Sequence, residues 1–337
     1  MRSKKIFLRF PIIISFILLI AALTGITVLT KSMASNGSAF TGNDSRAYVA
    51  VIGKSSTSAF WESVSSGARA SAAEYNLDMT FEAPESEEDY ETQNEMIRSA
   101  VENGASAIVF SAIDYNANAD AINEAIEAGV QVVIIDSDVN CENVACRIMT
   151  DNYAAGQMAG QKALENATSD LIVGIINYDI NSANGQQREQ GFCDAITSSG
   201  RVHSIYSINC LSTEESAYEG TTELLEAHPD INTIAALNEL MSLGSGYAIR
   251  DHGLEDSISI YAFDSNVVSV GMLETGEIDG LIVQNPFAMG YLGVETAYKL
   301  INGIAIESDH LNTTTTYVSL DNMYDIDIQR MIFRFGE

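Results

Sequence analysis

From Ala47 onward the chain repeats one pattern: a short unbroken apolar run, then a stretch with helical periodicity. YVAVIG (48–53) precedes a helical pattern from Ala59 to Tyr75, and LDMTFEA (77–83) precedes one from Glu87 to Asn103. SAIVFSA (106–112) is followed by Ala117 to Ala128, and VQVVIID (130–136) closes the series. The cycle then restarts with a helix from Asn152 to Asn166. LIVGIIN (171–177) leads to a helix from Gln187 to Ser198, and VHSIYSI (202–208) to one from Glu214 to Ala227. TIAALN (233–238) leads to Ser242 to Asp251, and ISIYAFD (258–264) and GLIVQN (280–285) complete the strands. Strands without polar alternation, joined by amphipathic helices, predict parallel sheets covered on both faces. Right-handed crossovers make each sheet a doubly wound α/β layer. Two such series predict two lobes joined by a multi-strand hinge. The helix after Pro286 and the run TTYVSL (315–320) are expected to carry the chain back across it. The expected division is 46–150 plus 286–313 for an N-terminal lobe and 151–285 plus 314–337 for a C-terminal lobe.

The first 31 residues follow a different pattern. Phe10 to Leu29 is uncharged and about 20 residues long, enough to span ~30 Å of hydrocarbon as a helix. Basic residues precede it, which places residue 1 in the cytoplasm and the body outside. Residues 1–31 are therefore expected to be one N-terminal signal or membrane-spanning helix. Ser32-Met33-Ala34 resembles a cleavage site, but the run exceeds the ~7–15 residues of a signal peptide, which favours an anchor by residues 10–29. No cysteine precedes Cys141, so no N-terminal lipid attachment is expected. Residues 32–45 are small and polar and read as a flexible linker.

Charge sharpens this division. The 337-residue chain holds 17 basic and 46 acidic side chains. Five of the basic and one of the acidic fall in residues 1–45, which leaves 12 and 45 for the rest. So acidic a body argues against nucleic-acid binding. Outside the membrane disulfides are permitted. Cys141, Cys146, Cys193 and Cys210 allow three pairings, which the sequence does not choose between. There is no CxxC, HExxH, GxSxG or GxxxxGK[ST], and LGSGYA (243–248) completes only part of a nucleotide fingerprint inside a predicted helix. No metal, cofactor or enzymatic activity is expected. An acid–base pair of Asp136 and Asp264 is the one catalytic alternative.

Ligands of open parallel sheets bind beyond the carboxyl ends of the strands. Standing there are Lys54, Phe60-Trp61, Ser111, Asp136-Ser137-Asp138, Tyr178, Asp179, Arg188, Asn238-Glu239, Asp264 and Gln284-Asn285. Planar Asp, Asn, Gln and Arg groups can each hold two adjacent hydroxyls, and aromatic faces pack on the apolar side of a pyranose. The set predicts a cleft for a small polyol.

Several stretches then resemble one family, in its order, over about residues 46–320. They are KSSTSAFWESVSSGARASAAEYN (54–76), VVIIDSD (132–138), TDNYAAGQMAG (150–160), NSANGQQREQGF (181–192), HPDINTIAALNE (228–239), ISIYAFD (258–264) and IVQNP (282–286). The chain is similar to type I periplasmic sugar-binding proteins of the ribose-, allose- and galactose-binding group. The resemblance implies that fold, and it implies that Phe60 and Trp61 are the aromatics sandwiching the sugar. Asp136 would be the first-lobe carboxylate, Arg188 the ligand-binding arginine, and Asn238, Asp264 and Gln284 the second-lobe amide, carboxylate and hinge glutamine. Lys54 falls where the allose-binding member carries lysine. Ser137 stands in place of a second arginine, Ala59 of a proline, Ser58 of an asparagine and Glu239 of an aspartate. These departures point away from ribose and towards a hexopyranose or another small polyol. The implied partner is an ABC permease, with the protein a monomer. A membrane-anchored sensing partner of a histidine kinase or chemoreceptor is the alternative.

Overall fold

In a computed structural model, residues 46–178 and 180–332 are described. The expected signal or anchor helix (1–31), the linker (32–45) and Asp179 lie outside them. Among the described residues no helix is long and apolar enough to cross a membrane.

The first sheet runs in the order β2 (Asp78–Glu82), β1 (Tyr48–Ile52), β3 (Ala107–Phe110), β4 (Gln131–Ile135), β5 (Cys146–Thr150), β11 (His310–Thr313), all parallel. The second runs β7 (Val202–Cys210), β6 (Leu171–Tyr178), β8 (Thr233–Ala236), β9 (Ser259–Phe263), β10 (Gly280–Val283), β12 (Thr316–Val318), parallel except for the β10–β12 pair. The two orders are the same arrangement used twice, and each sheet is doubly wound. Strands β1, β3, β4, β8, β9 and β10 are buried almost end to end, as their unbroken apolar runs predict. The edge strands β2 and β7 are half-exposed and carry polar residues.

The helices are α1 (Ala59–Glu74), α2 (Tyr90–Glu102), α3 (Ala119–Glu127), α4 (Asn152–Asn166), α5 (Ala183–Thr197), α6 (Glu214–Ala227), α7 (Glu239–His252), α8 (Val267–Thr275), α9 (Pro286–Ile301) and α10 (Ile326–Ile332). The chain passes between sheets after β5, after β10 and between β11 and β12. Helix α9, which follows a strand of the second sheet, packs on α1 beside the first. Helix α4, which follows a strand of the first sheet, packs on α5 beside the second. Both pairs approach closely enough to need glycine. A Cβ on Gly290 of α9 would stand 2.0 Å from the Val64 carbonyl oxygen of α1, and one on Gly191 of α5 would stand 2.1 Å from that of Tyr153 on α4. The second contact sets the helix that carries Arg188.

Several elements differ from the periodicity. Strand β5 was hidden by Arg147, whose guanidinium leaves the sheet to bond Asp138 and the Cys141 carbonyl. Strand β11 (HLNT) is a polar edge held by pairing with β5. Helix α8 has valines, Val267 and Val268, on its exposed side and so shows no amphipathic signal; Asn266 and Ser269 start it with a reciprocal capping box. Helix α10 was not anticipated either. Helices α5 and α7 begin earlier than predicted, at Ala183 and Glu239, and α2 begins later, at Tyr90 behind the Asp89 cap. None of the three cysteine pairings forms: all four thiols are free, with Cys141 donating to Asn123 Oδ1 and Cys146 to the Ser308 carbonyl.

Gly290→Ala is expected to destabilise the protein by roughly 1–3 kcal/mol, because the atoms in the way are backbone and cannot step aside. Gly271→Ala, on α8 with nothing within 4 Å, should be neutral or stabilising by up to about 1 kcal/mol. Urea unfolding followed by circular dichroism checks both.

Candidate ligand-binding cleft

The carboxyl ends of the two sheets face one another. Between them lies a narrow gap. Its walls are Lys54, Ser58, Phe60, Trp61, Glu87, Asp136, Tyr178, Asn184, Arg188, Asn238, Glu239, Leu240, Asp264 and Gln284. All eight residues expected from the sequence are among them: Lys54, Phe60, Trp61, Asp136, Arg188, Asn238, Asp264 and Gln284.

Asp136 and Asp264 occupy equivalent places. Each directly follows the fourth strand of its series, and each N–H donates to the next strand, Asp136 to the Ile148 carbonyl and Asp264 to that of Ile282. Both have left-handed backbones, with φ of 57° and 69°. Such values are uncommon outside glycine and cluster at functional sites. The turn swings each carboxylate off its sheet into the gap. Asp136 accepts from Ser111 Oγ at 3.1 Å and Asn184 Nδ2 at 3.3 Å. Asp264 accepts from Gln284 Nε2 at 2.6 Å. Gln284 Oε1 in turn accepts from Thr150 Oγ1 at 2.7 Å, so two of the interlobe crossings are bonded through the residue that holds Asp264.

Arg188 is 1% exposed. Its Nε donates to Asn152 Oδ1, its Nη1 to the Leu237 carbonyl, and its guanidinium lies 4.6 Å from the Phe263 ring centre. Held this way, the planar fork keeps donors for a ligand. Asn238 caps α7, accepting from the Met241 N–H, and its Nδ2 donates to Ser212. Lys54 Nζ lies 3.6 Å from Glu87 Oε2 and 5.7 Å from the Tyr178 ring centre. Phe60 and Trp61 meet edge to face at 5.3 Å and so make one wall rather than two facing ones. Trp61 is packed in the first-lobe core, with Nε1 donating to Glu87 Oε1. Behind these residues buried Gln93 donates to the Gly53 and Ser111 carbonyls and so ties the ends of β1 and β3 together.

The lobes bond directly across the gap. Glu239 Oε2 accepts from Ser58 Oγ at 2.6 Å and from the Phe60 N–H at 3.2 Å, at the N-terminus of α1. A carboxylate is favoured there by the unpaired N–H groups and the helix dipole. Asn184 Oδ1 accepts from Ser137, and Glu87 and Glu88 accept from Ser212.

Ser58, Glu87, Asn184 and Leu240 were not among the site residues expected, while Tyr178 and Glu239, placed at strand ends by the sequence, also line the gap. Glu87 was assigned to α2, but the helix starts three residues later and leaves it in a turn facing the gap. Asn184 lay before the predicted start of α5; Ser182, at the N-cap position, makes no capping bond and instead donates to Asn184 Oδ1. Asp179 lies outside the described residues.

Burial pushes the Asp136 and Asp264 carboxyls up, against the pull of Lys54 and Arg188 on the first and of Arg188 and Gln284 on the second; Asp264 reaches about 6. Burial likewise raises the Tyr178 phenol.

A protein-family profile described as periplasmic binding protein domain matches residues 49–305. The chain belongs to this family. Among curated relatives, the D-ribose/D-allose-binding protein of Pseudomonas aeruginosa is 25% identical over 281 residues, covering 81% of this chain and 88% of that protein. Among solved structures, a carbohydrate transporter solute-binding protein from Agrobacterium radiobacter, in complex with D-arabinose, superposes with a TM-score of 0.82. It is 27% identical, over 86% of this chain and all of that one. An ABC transporter solute-binding protein from Agrobacterium vitis with bound D-fucose gives 0.81 at 26% identity, over 85% of this chain and all of that one. The type I fold expected from the sequence is the one found.

The Asp264 carboxyl sets a pH dependence. In the unfolded chain it ionises near the ordinary 3.8, in the fold near 6. Between those values the folded form holds more protons, so this group's contribution to stability falls as pH rises through the window. Asp264→Asn removes that slope. Its melting temperature should exceed that of the wild type by a few degrees at pH 8, with the gap closing towards pH 4, as read by calorimetry.

Proposed function

We propose that this protein is an extracytoplasmic receptor that binds one monosaccharide, hexopyranose-like, between its lobes and delivers it to an ABC sugar importer. The observation that carries the reading is the convergence of Asp136, Arg188, Asn238, Asp264 and Gln284, with Lys54 and the Phe60–Trp61 wall, on one buried gap. Carboxylates accept from sugar hydroxyls, Arg188 and the amides donate to them, and the aromatic wall takes the apolar ring face. Tyr178 supplies an aromatic surface from the second lobe. The sugars bound by the relatives, pentoses and hexoses, support this ligand class.

Entry requires the lobes to part, because the gap is shut off by direct interlobe bonds. Three chain crossings give a hinge, and closure on the ligand creates the form a permease can select. Thr150 and Gln284 link that hinge to Asp264. The groups in the gap bind and orient; none is proposed to break a bond, and the sugar is expected to be recovered unchanged. The long apolar run at 10–29 favours a tethered protein, and with it the sensing role beside a kinase or chemoreceptor. N-terminal sequencing of the mature protein separates the two, since a start after Ala34 means release.

Trp61 is the only tryptophan in the chain, so its fluorescence reports on the gap. Titration of the soluble body with a panel of pentoses, hexoses and polyols should saturate with at least one of them. Arg188→Ala or Asp136→Asn should weaken that binding by about 10–100-fold, the worth of a hydrogen bond to a charged group. A flat response to the whole panel, confirmed by calorimetry, would remove the sugar assignment.

A further inference from the structure

The charges lining the gap do not cancel. Among the described residues four carboxylates line it, Glu87, Asp136, Glu239 and Asp264, against two cations, Lys54 and Arg188. Two of the acids are already accommodated. Glu87 faces Lys54 at 3.6 Å and takes the Trp61 N–H. Glu239 is bonded on both oxygens, by Ser58 and Phe60 at the N-terminus of α1 and by Asn266 Nδ2 at 2.7 Å. Lys54 also acts on Asp136, together with Arg188, while Asp264 has Arg188 alone, so two cations serve all four acids. Among the described residues no cation lies within ion-pair distance of either, and Asp264 Oδ2 has no hydrogen-bond donor.

Arg188 cannot cancel both. Two of its donors are committed to Asn152 and the Leu237 carbonyl. Hydroxyls of a neutral sugar can donate to the aspartates but leave their charge in place. In a desolvated gap an uncompensated carboxylate is costly, and a ligand that brings the missing charge removes that cost on binding. Burial has raised both carboxyls despite these cations. Among the described residues no three acidic, histidine or cysteine groups come together as a metal site.

We propose that the preferred ligand carries one positive charge: a hydroxylated primary amine of amino-sugar type, its ammonium facing Asp264 and Asp136. This rests on the sugar-binding reading and narrows it. Neutral sugars would bind more weakly, and sugar acids and sugar phosphates would be rejected by the same charge.

The test is a set of matched titrations by calorimetry and Trp61 fluorescence at pH 7. The probes are D-glucosamine, D-galactosamine and D-mannosamine, each beside its neutral hexose and its N-acetyl derivative, with D-glucuronate as the anion. At least one amine should bind tenfold or more tightly than its hexose. N-acetylation, which keeps the shape and removes the charge, should abolish that advantage, and glucuronate should not bind. Asp264→Asn and Asp136→Asn should each weaken the amine more than the hexose. Neutral hexose binding as tightly as its amine in every pair that binds would overturn the inference and leave the sugar reading standing. No response to any of the probes, together with a flat wider panel, would remove both. The wild-type comparison decides the matter even if a variant fails to fold.

Discussion

Two aspartates, Asp136 and Asp264, are kept in a water-poor gap by hydrogen bonds rather than by paired cations, and much of the architecture arranges that. Each needs a strand end, a left-handed turn to swing it inward, and a neighbouring amide to hold it. Each lobe supplies the strand end and the turn because the two sheets repeat the same strand order, while the amide that holds Asp136, Asn184, comes from the other lobe. Neither lobe alone could exclude water from its carboxylate. The second lobe covers the first, which is why the chemistry lies between them.

The platform under those groups is stiff where it has to be. Helices α1 and α9 and helices α4 and α5 touch backbone to backbone, with glycine at the contact. Those contacts fix the start of α1, where Phe60 and Trp61 stand, and the middle of α5, where Arg188 stands. The crossings between lobes are thinner, three single segments. Gln284 touches both regimes: one end of its amide takes a hinge hydroxyl and the other holds Asp264. A change in lobe angle therefore moves a group that would touch the ligand, which couples occupancy to closure without a longer relay.

The relation to other family members separates scaffold from specificity. At about a quarter sequence identity the fold is retained over more than four-fifths of the chain, because burial of parallel strands between helices constrains pattern rather than residue. In the wall of the gap Ser137 donates to Asn184, and Glu239 reaches across to cap α1. Both act on the electrostatics of the gap from the ends of the strands.

Much of this was legible before any coordinates. Unbroken apolar runs at regular spacing dictated strands buried on both faces, and the restart after residue 150 dictated a second series. Polar residues at the run ends marked Asp136, Asn238, Asp264 and Gln284, because a charged or amide group directly after a buried strand has few places to go except the sheet end, and Arg188 stood at the predicted start of a helix. The elements that escaped had no local signal. Strand β11 exists only because β5 lies beside it, and α8 keeps Val267 and Val268 exposed, so its buried face does not stand out in the sequence. The roles of Glu87, Asn184 and Glu239 depend on what stands opposite them, and a cross-lobe bond such as Glu239 to Ser58 joins residues 181 apart in the chain. Periodicity reports whether a residue is buried; only the packed lobes decide which charge it meets there, since that depends on distance through space and not along the sequence.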